Sequence, residues 1–192
     1  MNHIKRLAVY CGSAPGAQPV FPECACATAK AMVEHGVDLV YGGGRLGLMG
    51  LVADSVLELG GKVYGVIPQL LVKLEVAHTG LTELHRVDTM GERKAVMSEM
   101  SDAFLCLPGG IGTLDEMFEA WSENALGFHK KPFCLLNVDG YWDGLIEFID
   151  HATESGFMSE RRRRQLLVAE TPEEALKLLD DAAAAATQGM VW

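Results

Sequence analysis

Short apolar runs, each closed by a turn and followed by an amphipathic segment, recur along the chain from Ile4 to Pro172. The pattern predicts strands at 4–11, 37–41, 62–67, 82–87, 103–107, 133–138 and 166–169. Helices are expected over 22–34, from Gly47 to about 59, over 89–100, from the Gly109 turn to about 126, over 142–154, and from Pro172 onward. Regular strand–helix alternation pairs the strands in parallel, because each helix must carry the chain back across a sheet face before the next strand begins. The expected fold is therefore α/β: a single-domain, Rossmann-like, doubly wound parallel sheet with helices on both faces. The domain is expected to occupy residues 1–181, and residues 182–192 are expected to fray into a C-terminal tail.

In such a sheet every strand-to-helix turn lies at the carboxyl edge, where ligands bind. The turn with Ser13, the Gly42–Gly47 turn with Gly43 and Gly44, the long 68–80 loop with Glu75, and the Gly109–Thr113 turn all fall there. The last is the most informative. Leu105-Cys106-Leu107 ends at Pro108, and Gly109, Gly110 and Gly112 then strip side chains from the entrance to a helix. The first N–H groups of that helix have no intrahelical partner and favour an anion, so a phosphate is the expected guest, with the Thr113 hydroxyl assisting. Glu116 follows one turn into the helix, an electrostatically awkward place for a carboxylate unless it serves chemistry. Arg93 opens the helix that leads into the preceding strand, so Arg93 and Glu116 are expected to face one cleft. No lysine follows the glycines, which excludes a Walker A loop.

Composition narrows the partners. A net charge of −10 over 192 residues opposes nonspecific binding to nucleic acid or an anionic membrane. No apolar run approaches the ~20 residues of a membrane span, and no signal-peptide pattern precedes the first strand. The five cysteines are odd in number and lack metal spacing, the expectation for reduced thiols in the cytoplasm. The six histidines also lack ligand spacing, so neither a metal nor a cofactor is expected. Gly42-x-Gly44-x-x-Gly47 matches the dinucleotide fingerprint, but it follows the second strand, and the next strand ends without an acid for a ribose. Arg161–Arg164 reads as a solvated helical face, and Met90, Met97, Met100 and Met117 read as core.

Five markers carry a resemblance: Cys11-Gly12-Ser13, Tyr41-Gly42-Gly43-Gly44, Gly47-Leu48-Met49-Gly50, Met90-x-x-Arg93-Lys94 and Pro108 to Glu116. From Leu7 to about Leu179 the chain resembles the LONELY GUY family of cytokinin riboside 5′-monophosphate phosphoribohydrolases, sometimes called lysine decarboxylases. The resemblance implies hydrolysis of the N-glycosidic bond of a purine nucleoside 5′-monophosphate, AMP or an N6-substituted AMP, to free base and ribose 5-phosphate. It implies that Arg93 and Glu116 are the catalytic pair, and that Glu75, Lys94, Gly109, Gly110, Gly112, Thr113 and Ser122 line the nucleotide site. Dimers or larger homo-oligomers are also implied, with the site near the interface. The chain departs from the family pattern at Gly91, at Ala14 and over Trp121-Ser122-Glu123-Asn124-Ala125, changes that bear on base preference. Two alternatives stand beside this reading. A phosphoribosyltransferase would need an acidic pair before a phosphate loop, yet Asp180-Asp181 lies in the terminal helix. A nucleotide-binding carrier would keep the glycines but need neither Arg93 nor Glu116.

Overall fold

A computed structural model describes residues 3–73 and 77–187. Its strands are β1 (Arg6–Tyr10), β2 (Asp38–Tyr41), β3 (Val63–Pro68), β4 (Glu83–Val87), β5 (Ala103–Cys106), β6 (Phe133–Leu136) and β7 (Leu166–Ala169). They form one sheet in the order β4-β3-β2-β1-β5-β6-β7, with every pair parallel. The expected α/β architecture is observed. The order reverses between β1 and β5, which opens a crevice beyond their carboxyl ends.

The period-2 alternation of the strands divides the core between two faces. Leu7, Val9, Leu39, Tyr41, Leu105 and Leu107 face α1 (Val20–Glu34), α2 (Gly47–Glu58) and α8 (Pro172–Thr187). Ala8, Tyr10, Val40, Phe104 and Cys106 face α4 (Met90–Met100), α5 (Ile111–Leu126) and α6 (Asp143–Glu154). Helix α1 ends just before Gly36, whose φ of 66° admits the left-handed turn into β2. Helix α4 starts with a capping box, in which Thr89 Oγ1 accepts from the Glu92 amide while the Glu92 carboxylate accepts from the Thr89 amide. This cap fixes the register of α4 and so the direction of Arg93.

Several elements differ from expectation. The 68–80 stretch, expected to be irregular, begins with a short helix, α3 (Gln69–Lys73), and Ala77 returns to bridge Gly44. Helix α8 continues through Thr187, past the expected onset of a tail at Ala182. The four arginines form α7 (Glu160–Gln165), but Arg162 and Arg163 are half-buried, with Arg163 paired to Asp150 of α6. Met97 and Met117 are core residues, whereas Met90, at the first position of α4, is 45% exposed.

Candidate active site

Three turns nest at the crevice. The Gly12 amide donates to the Pro108 carbonyl at 3.1 Å, joining the β1 and β5 turns, and the Met49 amide donates to the Gly12 carbonyl at 3.3 Å, joining the β2 turn. Contacts this close leave no room for side chains. A Cβ on Gly109 would lie 2.1 Å from Thr113 Oγ1 and 2.8 Å from the Gly12 amide nitrogen. One on Gly47, whose φ is 61°, would lie 2.2 Å from the Ser13 carbonyl carbon. Of the dinucleotide-like fingerprint, Gly47 is thus accounted for by neighbouring protein backbone. Gly43 (φ 72°) backs onto Ile67, and Gly44 carries the bridge to Ala77, so both are buried in packing at the floor of the crevice.

Gly110 caps α5 without any side-chain hydrogen bond, so the leading amides of the helix stay open to an incoming acceptor. Beyond Gly110 and Gly112 the space where a Cβ would stand is empty, whereas Thr113 is buried against Gly109. This is the geometry of an anion site: bare N–H groups, a positive helix end and room for the ligand.

One turn deeper, Arg93 Nη1 lies 3.2 Å from Glu116 Oε1, and both side chains are over nine-tenths buried. Arg93 Nε donates to the Val66 carbonyl at 3.2 Å and Nη2 to the Gly42 carbonyl at 3.3 Å. The guanidinium is therefore held in one orientation by three elements. A Cβ on Gly42 would fall 1.7 Å from Nη2, so only glycine admits the arginine there. Burial pushes the Glu116 carboxyl up to about 7 against the lowering influence of Arg93. A carboxyl of this kind exchanges its proton near neutrality, as a general base requires. Cys11 lies buried nearby, and burial together with the Glu116 charge holds its thiol far above the range of a reactive thiolate.

The other expected residues take the following places. Lys94 bridges Asp115 and Glu119 of α5, with its cation 3.0 Å from Asp115 Oδ2. Ser122 is exposed on α5. At ~100° per residue it aligns with Asp115 and not with Glu116. Ser13 is exposed on the β1 turn, and Glu75 lies outside the described residues. Two contributors were not foreseen. Gly42 makes room for Arg93, and Tyr141 donates its hydroxyl to the Gly109 carbonyl at 2.7 Å, steadying the turn from the far side. The glycine run at 42–44 marked a close approach, but the identity of what approaches emerges only once α4 is packed against β2 and β3.

Known proteins share this arrangement of chain. A family described as possible lysine decarboxylase matches residues 49–179. The cytokinin riboside 5′-monophosphate phosphoribohydrolase LOG of Oryza sativa subsp. japonica is 44% identical over 191 residues, spanning 100% of this chain and 79% of that protein. The enzyme of that name designated LOG7 in Arabidopsis thaliana is 43% identical over 180 residues, spanning 94% of this chain and 83% of that protein. Among solved structures, TM1055 superposes with a TM-score of 0.69 at 27% identity over 92% of this chain and 99% of its own. The molybdenum cofactor carrier protein of Chlamydomonas reinhardtii gives 0.67 at 21% identity over 93% and 98%, a likeness of fold alone. By the extent of these matches, the chain belongs to the LONELY GUY family of cytokinin riboside 5′-monophosphate phosphoribohydrolases, the family also described as possible lysine decarboxylases.

Proposed function

We propose that this protein is a phosphoribohydrolase that cleaves the N-glycosidic bond of a purine nucleoside 5′-monophosphate, AMP or an N6-substituted AMP, releasing the free base and ribose 5-phosphate. The observation that carries the reading is the buried Arg93–Glu116 pair one turn inside the uncapped end of α5. The 5′-phosphate docks on the open amides at Gly110–Thr113, which brings the sugar over Glu116. Cleavage leaves positive charge on the ribose ring. The ionised Glu116 carboxylate stabilises that charge and takes a proton from the attacking water, whose oxygen bonds to the anomeric carbon as the base departs. Arg93 orients Glu116 and hydrogen-bonds the departing base, whose leaving nitrogen takes up a proton from solvent as Glu116 later releases the one taken from water. Ser13, Lys94 and Ser122 are assigned to the surroundings of the nucleotide, and Glu75 is kept in that set on family resemblance alone.

The names of the relatives support this activity, and Lys94, the lysine beside Arg93, does not suit the lysine chemistry that the family description suggests. A Schiff-base lysine needs a depressed ammonium pKa. Burial alone would lower that of Lys94, but its hydrogen bonds to Glu119 and Asp115 outweigh burial and raise it. A carrier would use the open amides and gain nothing from burying Arg93 against Glu116.

Assembly and compartment belong to the same proposal. Ile111, Phe118 and Leu126 stand 83%, 40% and 70% exposed along α5. A homodimer or larger homo-oligomer would cover this stripe and bring Ser122 toward a partner's crevice. No described helix is long and apolar enough to cross a membrane. All five cysteines are free thiols, which supports a reducing cytoplasm.

The test is base release by the purified protein from AMP, N6-isopentenyl-AMP, GMP, CMP and adenosine, resolved by chromatography. Purine monophosphates are expected to be hydrolysed. Charge-assisted hydrogen bonds contribute ~1.5–3 kcal/mol each, so adenosine is expected to fall behind AMP by several orders of magnitude in kcat/KM. Adenosine hydrolysed as fast as AMP, or no base from any of them, would refute the reading.

A further inference from the structure

The opposite edge of the sheet carries a second concavity. Where the chain enters β6 and β7, a cavity of about 870 Å³ opens beside the C-terminal ends of α5 and α8. Small-molecule sites typically enclose roughly 300–1,000 Å³. Its apolar wall includes Phe133, Leu167 and Leu178. Its polar wall carries Lys130, Lys131, Arg161, Arg162 and Arg164 against one acid, Asp181. That acid is already paired with Lys177 at 3.5 Å. Among the described residues no carboxylate pairs with Lys130, Arg162 or Arg164.

In a chain of net charge −10 this grouping of five cations against one acid is a local excess of positive charge. A solvated basic face would not need the apolar wall, and a plain core defect would not need the cations. Together they fit a ligand with one apolar and one anionic part. We propose that this cavity is a binding site for a small amphipathic anion, a hydrocarbon or aromatic body with a phosphate or carboxylate head. The body packs against Phe133, Leu167 and Leu178 while the head meets Arg162, Arg164 and Lys130. The site is separate from the nucleotide crevice: Asn124, on its wall, lies eight residues past Glu116 on α5, about 12 Å along the helix axis at 1.5 Å per residue.

The test titrates the full chain with 8-anilinonaphthalene-1-sulfonate, followed by fluorescence, with neutral N-phenyl-1-naphthylamine in parallel. Dodecyl phosphate, dodecanoate and dodecanol then serve as competitors. The expected result is saturable binding at one site per chain, displacement by either anionic competitor but not by dodecanol, and no displacement by saturating AMP. The better of the two anions identifies the head group. The Arg162→Glu/Arg164→Glu variant should bind at least tenfold more weakly while retaining its circular dichroism spectrum and AMP hydrolysis. Lys130→Glu, outside α7, should weaken binding in the same direction if the double variant is unstable. Equal binding of the neutral probe, displacement by AMP, or unchanged affinity in these variants would overturn the proposal. So would binding that appears only after removal of residues 188–192, which would make that segment the occupant.

Discussion

Replacing Glu116 with Gln removes a charge that burial opposes, and the consequence for stability has a definite sign. Glu116 titrates at about 7 in the folded protein, against 4.5 for a glutamate side chain free in water. Between those values the folded state holds a proton that the unfolded chain has released, so the carboxyl's contribution to stability is full below pH 4.5 and is lost as pH rises through 7. At ~1.4 kcal/mol per pH unit the interval corresponds to about 3 kcal/mol. Glutamine presents Arg93 with the same neutral, hydrogen-bonding shape as protonated Glu116, so the two proteins should melt together near pH 4.5. By pH 8 the variant should be the more stable, by ~6–12 °C at ~2–4 °C per kcal/mol for a chain of this size. Paired calorimetric melts from pH 4.5 to 8.5 read the difference directly, because every other titrating group cancels between the two proteins. A melting-temperature difference that stays flat with pH, or reverses sign, would refute the placement of a burial-dominated carboxyl beside Arg93.

Other outcomes follow from the same geometry. The acid limb of kcat/KM for AMP should have an apparent pKa near 7, since Glu116 acts ionised; a profile flat from pH 5.5 to 8 would contradict that role. Gly109→Ala places a Cβ 2.1 Å from Thr113 Oγ1. It should cost ~1–3 kcal/mol of stability and weaken AMP binding in calorimetry more than adenosine binding. Light scattering should find a dimer or larger species at micromolar concentration, and Phe118→Glu should shift it toward monomer.

Much of this was legible before folding. The β5–α5 unit follows from an apolar run meeting Pro108 and three glycines, and the meeting of Arg93 with Glu116 follows from parallel topology, which sends both helix starts to one edge. Contacts between residues far apart in sequence were not legible. Nothing local announces that Gly42 must yield to a guanidinium from residue 93, or that Tyr141 steadies the Gly109 carbonyl. Lys94 follows Arg93 directly, yet one residue turns a helix by ~100°, and the lysine meets Asp115 and Glu119 while Arg93 meets Glu116. Met90 reads as core by its residue type, but at the first position of α4 it is 45% exposed. The short α7 was read as a solvated face because charge alone does not reveal that Arg163 folds onto Asp150.

The central claim is that Glu116 serves the transition state more than the bound nucleotide. Its most direct test is the rate of base release from AMP by Glu116→Gln, with AMP affinity measured by calorimetry on the same preparation. Removing the charge relieves the repulsion that a bound phosphate feels, so affinity should be equal or slightly tighter. Turnover should fall by a factor on the order of 10²–10⁴. Near-normal turnover, or a loss of activity explained entirely by lost affinity, would contradict the account.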